Sequence, residues 1–321
     1  MRRILCILAA VLFATAAQAQ SDFPNKPVSI VVPFAAGGPT DVVTRILADE
    51  LSRVWSQQVL VENKPGGGSV IGNNSVARAR PDGYTLLMVG PAFVVLPGIR
   101  ESLPYDTLKD FSGVSVYVDA PLAVVAHPGF APNTLQELIE EAKKRPDRPV
   151  TYSSAGVGTT GHMTGELIMR KTGIKLKHIS YGGDAAAMPD LLSGRVDFQV
   201  ATWSNQRPYV EQGKLKLICV LYRTRLPEIP NVPTLNELMP ELGVSRDAFN
   251  ALALPAGVPA DVKARIAEGV KAASNAKTYQ DRIRAVGSYP RYTTPEETDA
   301  FIRGSVLTWI EVAKAANIKV D

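Results

Sequence analysis

The chain has 321 residues, of which 45% are hydrophobic and 21% charged, with a formal net charge of +4. Such a chain buries a large core, is neither disordered nor fibrous, and has the length of roughly two domains. Its lysines and arginines are interleaved with acids, which excludes the clustered basic surface of a nucleic-acid binder.

At the start, Arg2 and Arg3 precede the apolar run ILCILAAVLFATAA and the small-residue stretch AQAQ. This order predicts a secretory signal peptide over residues 1–19, cleaved after Ala19. The run is shorter than the about 20 apolar residues that span a bilayer, so the mature protein is expected to be soluble outside the cytoplasm. Loss of Arg2 and Arg3, with no acid in the peptide, lowers the charge from +4 to +2. Cys6 leaves with the peptide, and Cys219 in LKLICVLYRT remains as a single thiol expected in the core.

The segment KPVSIVVPF predicts a strand, AAGGPTD a loop, and VVTRILADELSRVW a helix with Val43, Ile46, Leu47, Leu51 and Val54 on one face. Thr40 or Asp41 is the expected cap. Strands follow at QQVLVENK and GYTLLMVG, with a helix between them over Gly72 to Ala79, which gives the rhythm of a parallel sheet. A second α/β unit opens near APLAVVAHP. It continues with a helix capped by Asn133 or Thr134, the strand VTYSS, the loop AGVGTTG, the helix HMTGELIMRKTG, the strand KLKHISY, the helix DAAAMPDLLSG and the strand VDFQVAT. The tail predicts one short strand and then helices, with Val262, Ile266 and Val270 on one face and Phe301, Val306 and Ile310 on another. Short strand-like crossings are expected between two lobes.

Gly156, Gly158 and Gly161 match the spacing G-x-G-x-x-G, which raises a dinucleotide site. The following strand ends at Tyr181 without the acid that would hold a ribose, so the fingerprint is incomplete and no cofactor is expected. PGGGS lacks the lysine of a phosphate loop and predicts a turn. His127, His162 and His178 are the only histidines and stand in no metal-ligand spacing, so no metal is expected. No G-x-S-x-G elbow occurs; Ser153, Ser154 and His162 are the residues from which a nucleophile and base would have to be built, with a capping or packing role expected for His162.

Two loops survive these tests. VVPFAAGGPTDVV and TYSSAGVGTTGHM each carry a strand through small residues into a helix, where α/β folds place ligands. Such helix starts favour anions by ~0.3–1 kcal/mol when exposed. At Gly37, Gly38, Gly156 and Gly158 a side chain would block close approach, and Thr40, Ser154, Thr159 and Thr160 offer hydroxyl donors, so a carboxylate can be held without an arginine.

The stretches FPNKPVSIVVPFAAGGPTDVVTRILADELS, VENKPGGGSVIGNNSVARARPDGYTLLM, LPYDTLKDF, TYSSAGVGTTGHMTGEL, LLSGRVDF and LALPAGVP, in this order, resemble the Bug family of periplasmic solute-binding receptors. That family supplies the extracytoplasmic receptors of tripartite tricarboxylate transporters. The resemblance implies an α/β, two-lobed periplasmic-binding-protein (Venus-flytrap) fold with two hinge crossings, near Pro121 to Val125 and near Arg246 to Leu254. It divides the mature chain into residues 20–122 plus 246–321 as lobe 1 and residues 123–245 as lobe 2. It further implies a monomer in the periplasm, a small carboxylate solute and the membrane subunits of such a transporter as partners, and no enzymatic activity.

The implied site comprises Phe34, Ala36, Gly37, Gly38, Thr40 and Asp41 in the first loop and Ser154, Ala155, Gly158, Thr159, Thr160 and His162 in the second, with Tyr181, Gly182 and Asp184 as a further wall. Phe93, in MVGPAFVVLP, and Trp203, in FQVATWSNQRPYV, stand where the sequence departs from the family pattern. Each is a candidate either for the wall of a pocket holding a bulkier acid or for the core. The competing expectation is a secreted α/β enzyme acting on a small carboxylate in the same cleft.

Overall fold

The computed structural model describes residues 23–240 and 248–319. The expected signal peptide and part of the second expected crossing lie outside the described residues. In chain order the elements are β1 (Val28–Val32), α1 (Pro39–Trp55), β2 (Val59–Asn63), α2 (Val70–Ala77), β3 (Thr85–Val89), α3 (Pro91–Ile99), β4 (Phe111–Ala120) and β5 (Leu122–Ala126). They continue with α4 (Leu135–Lys144), β6 (Val150–Ser154), α5 (Thr160–Thr172), β7 (Leu176–Ser180), α6 (Asp184–Leu192), β8 (Phe198–Thr202), α7 (Trp203–Glu211) and β9 (Lys216–Leu221). The last are α8 (Leu235–Leu238), β10 (Ala248–Pro255), α9 (Ala260–Asn275), α10 (Lys277–Ala285), β11 (Tyr289–Pro290) and α11 (Pro295–Ala315).

Two sheets result, in the orders β11-β4-β10-β3-β1-β2 and β7-β6-β8-β5-β9. Neither is wholly parallel. β1 runs parallel to β2 and β3, and β6 to β7 and β8, as the α/β rhythm demands. β10, however, enters between β3 and β4 antiparallel to both, and β5 is antiparallel to β8 and β9. The cause is the route between sheets. β4 passes into β5 through Pro121 alone, and β10 returns to the first sheet from the second, so neither strand is preceded by a crossover helix on its own sheet.

β1 is a run of β-branched residues in which Val28, Ile30, Val31 and Val32 are inaccessible to solvent. α1 covers that sheet with Val43, Ile46, Leu47 and Leu51, whereas Val54 is 40% exposed. The helix begins earlier than its expected caps: Gly38 is the N-cap and Pro39, whose fixed φ suits a first helical position, starts the helix. α2 likewise lies two residues earlier than expected. Thr134 caps α4 by accepting the Glu137 N–H, and Thr294 and Glu297 form a reciprocal capping box on α11.

On the tail, Val262, Ile266 and Val270 of α9 are buried against the first sheet, together with Leu252 and Leu254 of β10. α11 packs on β4 and α3 and also reaches α5, where Arg170 pairs with Glu311 at 2.8 Å. One buried cluster therefore joins Val31, Leu87 and Phe93 on the first sheet's side to Val124, Val200 and Cys219 of the second sheet and Met163 of α5. Cys219 lies in β9 at 0% exposure, and burial pushes its thiol pKa up to about 12.

Candidate functional site

The first loop, residues 33–38, leaves β1 and feeds α1. Its shape is set by Asp41, which is 2% exposed. One carboxylate oxygen accepts the Gly37 N–H at 2.8 Å and Arg45 Nε at 2.9 Å; the other accepts Asn63 Nδ2 at 2.9 Å. Asn63 Nδ2 also donates to the Phe34 carbonyl at 3.1 Å. Burial alone would raise the Asp41 pKa, but these donors outweigh it and hold the carboxyl below its ordinary range. Asp41 thus shapes the loop from behind.

The second loop, residues 155–159, leaves β6 and feeds α5, with Thr159 as N-cap. Thr159 Oγ1 donates to the Gly156 carbonyl at 2.7 Å, and the Gly158 N–H donates to His162 Nδ1 at 3.1 Å. Because that nitrogen accepts, the neutral His162 ring carries its proton on Nε2, which lies 3.6 Å from Glu166 Oε1. Ser154 Oγ meets His178 Nε2 at 2.9 Å, and the two imidazole rings stand 4.1 Å apart. Burial first, and the neighbouring His162 second, lower the His178 pKa to about 4, with Glu166 opposing. Ser153 and Ser154 are both fully buried, so the serine beside a histidine sits beneath the loop.

A cavity of about 550 Å³ opens between the two sheets. Phe34 of the first loop and Ala155, Gly158, Thr159, Thr160 and Asp184 of the second sheet's side line it, as do Thr202 and Ala248 at the ends of β8 and β10. Much of the rest of its wall is one face of α3 and the residue that follows it, Pro91, Ala92, Val95, Leu96, Ile99 and Arg100, and Gly68, Leu122, Val157, Gly161 and Val200 complete it. Gly158, at φ +77°, comes so close to this helix that an added Cβ would stand 2.6 Å from Ile99 Cδ1. A second cavity of about 690 Å³ takes in Gly37 and Thr40 and shares Pro91, Thr202 and Ala248 with the first.

The remaining expected residues lie elsewhere. Ala36 is exposed and Gly38 half-buried on the first loop, while Asp41, Ser154 and His162 support the loops from behind. Tyr181 turns its hydroxyl to Asp190 at 2.7 Å, and Gly182 is exposed. Phe93 is 2% exposed and stacks on Tyr105 with its edge partner Phe111, so it belongs to the core rather than to the wall. Trp203 is also 2% exposed, packs with Met188 and Leu191, and donates from Nε1 to Glu228 at 3.2 Å. The wall formed by α3 is what sequence reading missed. Pro97 inside PAFVVLPGI argues against a helix, although Gly90 followed by Pro91 is a helix-start signal.

Chemically, the cavity is an apolar trough with helix starts around it. The first turns of α3, α5 and α6 reach its wall at Pro91, Thr160 and Asp184. Each such start favours an anion by ~0.3–1 kcal/mol when exposed and up to ~2 kcal/mol when partly buried. Asp184 is the one acid among the described residues of the wall. Burial raises its pKa, and the Thr202 N–H, donating at 3.0 Å, partly offsets this.

The family model described as "Tripartite tricarboxylate transporter family receptor" matches residues 43–318. Protein BugT of Bordetella pertussis is 31% identical over 327 residues, covering 100% of this chain and 99% of the relative. The solved structure of the periplasmic binding protein BugD is 33% identical with a TM-score of 0.75, covering 93% of this chain and 100% of that one. The R. palustris protein Rpa4515, solved with adipate, is 26% identical with a TM-score of 0.78 over 93% of this chain and 100% of its own. With two α/β lobes, a cleft between them and a family match over most of its length, the chain belongs to the tripartite tricarboxylate transporter receptor family, alongside the periplasmic Bug proteins.

Proposed function

We propose that this chain is a periplasmic receptor that captures a small carboxylated solute between its lobes and presents it, as a monomer, to the membrane subunits of a tripartite tricarboxylate-type transporter. The observation that carries this reading is the cavity itself, lined from one side by the first loop and α3 and from the other by the second loop and the start of α6. The adipate bound by a relative of the same fold supports a carboxylate as the ligand class. Lobe 1 takes residues 20–122 and 246–321, and lobe 2 residues 123–245.

In this reading the Thr160 hydroxyl and the start of α5 supply donors to the carboxylate, while Phe34 and α3 exclude water. A solute that touches both lobes only when they close shifts the hinge equilibrium by its differential affinity for the closed form. The buried Ser154 hydroxyl is turned to His178 and the Gly156 carbonyl, which supports binding without turnover. Incubation with candidate carboxylates tests both halves of the proposal. A gain in melting temperature with the solute recovered intact is expected; formation of a product overturns the receptor reading.

A further inference from the structure

The Gly158 N–H ends on a side chain: its acceptor is Nδ1 of His162, the third residue of α5, at 3.1 Å. His162 is 6% exposed, so bulk water does not stand in for that acceptor. An imidazole nitrogen accepts only while it carries no proton. The same glycine lies against the opposite wall of the cavity, since at φ +77° an added Cβ would stand 2.6 Å from Ile99 Cδ1 of α3. One buried nitrogen therefore fixes the residue at which the second loop meets α3.

The surroundings of the ring can accommodate a proton. On α5 itself, Glu166 Oε1 lies 3.6 Å from Nε2. From β6 the Tyr152 hydroxyl donates to the His162 carbonyl at 3.1 Å, and from β7 the His178 ring stands 4.1 Å away with Nε2 turned to Ser154 Oγ at 2.9 Å. β8 meets this turn at Val200, whose carbonyl oxygen lies against Gly161. The acids on neighbouring helices are already engaged: Asp184 at the start of α6 accepts the Thr202 N–H at 3.0 Å, and Glu311 of α11 pairs with Arg170 farther along α5. Burial, and then the neighbouring His162, lower the His178 pKa to about 4, which places that ring outside the range of about pH 5 to 8 in which imidazoles ordinarily titrate. A proton on His162 thus finds a counter-charge in Glu166, and sets one N–H against another at Gly158.

We propose that His162 is a positioning residue for solute capture: its unprotonated Nδ1 holds Gly158, and with it the second loop, in the form that walls the cavity, and protonation releases the loop and weakens solute binding. This inference rests on the cavity being the solute site. By linkage, capture of a solute then expels a proton from the His162 ring over the range in which that ring titrates.

Hydrogen exchange at the Gly158 amide, followed by NMR on the solute-free chain and corrected for the intrinsic effect of pH, tests the loop without any solute. Protection in the wild type is expected to fall about 10-fold between about pH 7.5 and about pH 5.5. His162→Asn, whose Oδ1 accepts and does not titrate, should keep its protection over the same range. Glu166→Gln, which removes the counter-charge, should move the fall to lower pH. Titration calorimetry with adipate at both pH values tests the consequence, with His162→Asn as the reference for protonation of the acid itself. The wild type should lose about 5- to 10-fold more affinity on acidification than this variant. Constant protection in the wild type, an equal fall in His162→Asn, or a fall that Glu166→Gln leaves at the same pH overturns the positioning role. Protection that falls while adipate affinity changes alike in wild type and His162→Asn overturns the link to capture. Adipate binding at neither pH, with the exchange results as expected, overturns the receptor reading beneath the inference and leaves the hold of His162 on the loop standing.

Discussion

Both carboxylate oxygens of Asp41 are occupied by the protein itself, through Gly37, Arg45 and Asn63. Replacing Asp41 by Asn removes the charge that these donors share and is expected to cost roughly 1–3 kcal/mol in denaturant unfolding. The pH dependence has a definite sign. A carboxyl held below its ordinary 3.8 contributes stability that is complete above that value and is lost as pH falls through the lower, folded-state pKa. Acid titration of Asp41→Asn should therefore lack this part of the wild-type loss. His178 acts over a higher range. Its folded pKa of about 4 lies below the ordinary 6.5, so the fold favours the neutral ring beside Ser154, His162 and Glu166. That contribution is complete above pH 6.5 and falls away toward pH 4, by on the order of 1–2 kcal/mol once solvent screening of this half-buried ring is allowed for. Urea melts of His178→Gln across this range should show a visibly flatter dependence than the wild type; an equally steep one sinks the assignment.

At the scale of elements, the glycine spacing of the second loop has a structural explanation. Gly156 and Gly158 adopt positive φ in the turn, and Gly161 lets α5 approach β8 so closely that an added Cβ would stand 2.3 Å from the Val200 carbonyl oxygen. A dinucleotide fingerprint uses its last glycine for the same helix-to-strand contact, so this packing by itself accounts for the spacing. Gly161→Ala is accordingly expected to push α5 away and cost ~1–3 kcal/mol, read as a lower melting temperature with weaker solute binding. The strand–loop–helix units were legible because β-branched runs, small residues and helical periodicity coincide there. α3 and β4 were not, since an internal proline disguised the helix and the antiparallel partners of β4 are far away in sequence. Phe93 and Trp203 illustrate the same limit: their size fits a pocket wall or a core equally well, and only packing decides.

At the scale of the molecule, the two sheets meet where β4 passes into β5. Asp119, inaccessible to solvent at that crossing, pairs with Arg223 beyond β9 at 2.5 Å and with Arg291 beyond β11 at 3.0 Å. Tyr289 of β11 adds a hydroxyl bond to Glu228 at 2.6 Å. Charged and hydroxyl groups thus fasten the crossing, while the two glycine loops face the cleft, an arrangement suited to lobes that pivot about one side. The order of the two loops along the chain was visible in the residue pattern; their meeting across a cleft was implied only by the family resemblance, because no local pattern shows that β10 returns to the first sheet.

The central claim is that these two loops hold one small carboxylate between them. Gly38→Val sets a branched side chain on the first loop between Gly37 and Pro39, which line the second cavity, and Thr160→Ala removes a hydroxyl from the wall of the first. Gly38 has φ −72°, and an added Cβ would meet only the Ala35 carbonyl, at 3.5 Å, so the fold should persist. Native mass spectrometry of the wild type and this double variant, each incubated with the carboxylate panel, is the most direct measurement. The account predicts a one-to-one adduct with the wild type that disappears in the variant. An adduct of undiminished abundance in the variant would place the solute elsewhere and contradict it.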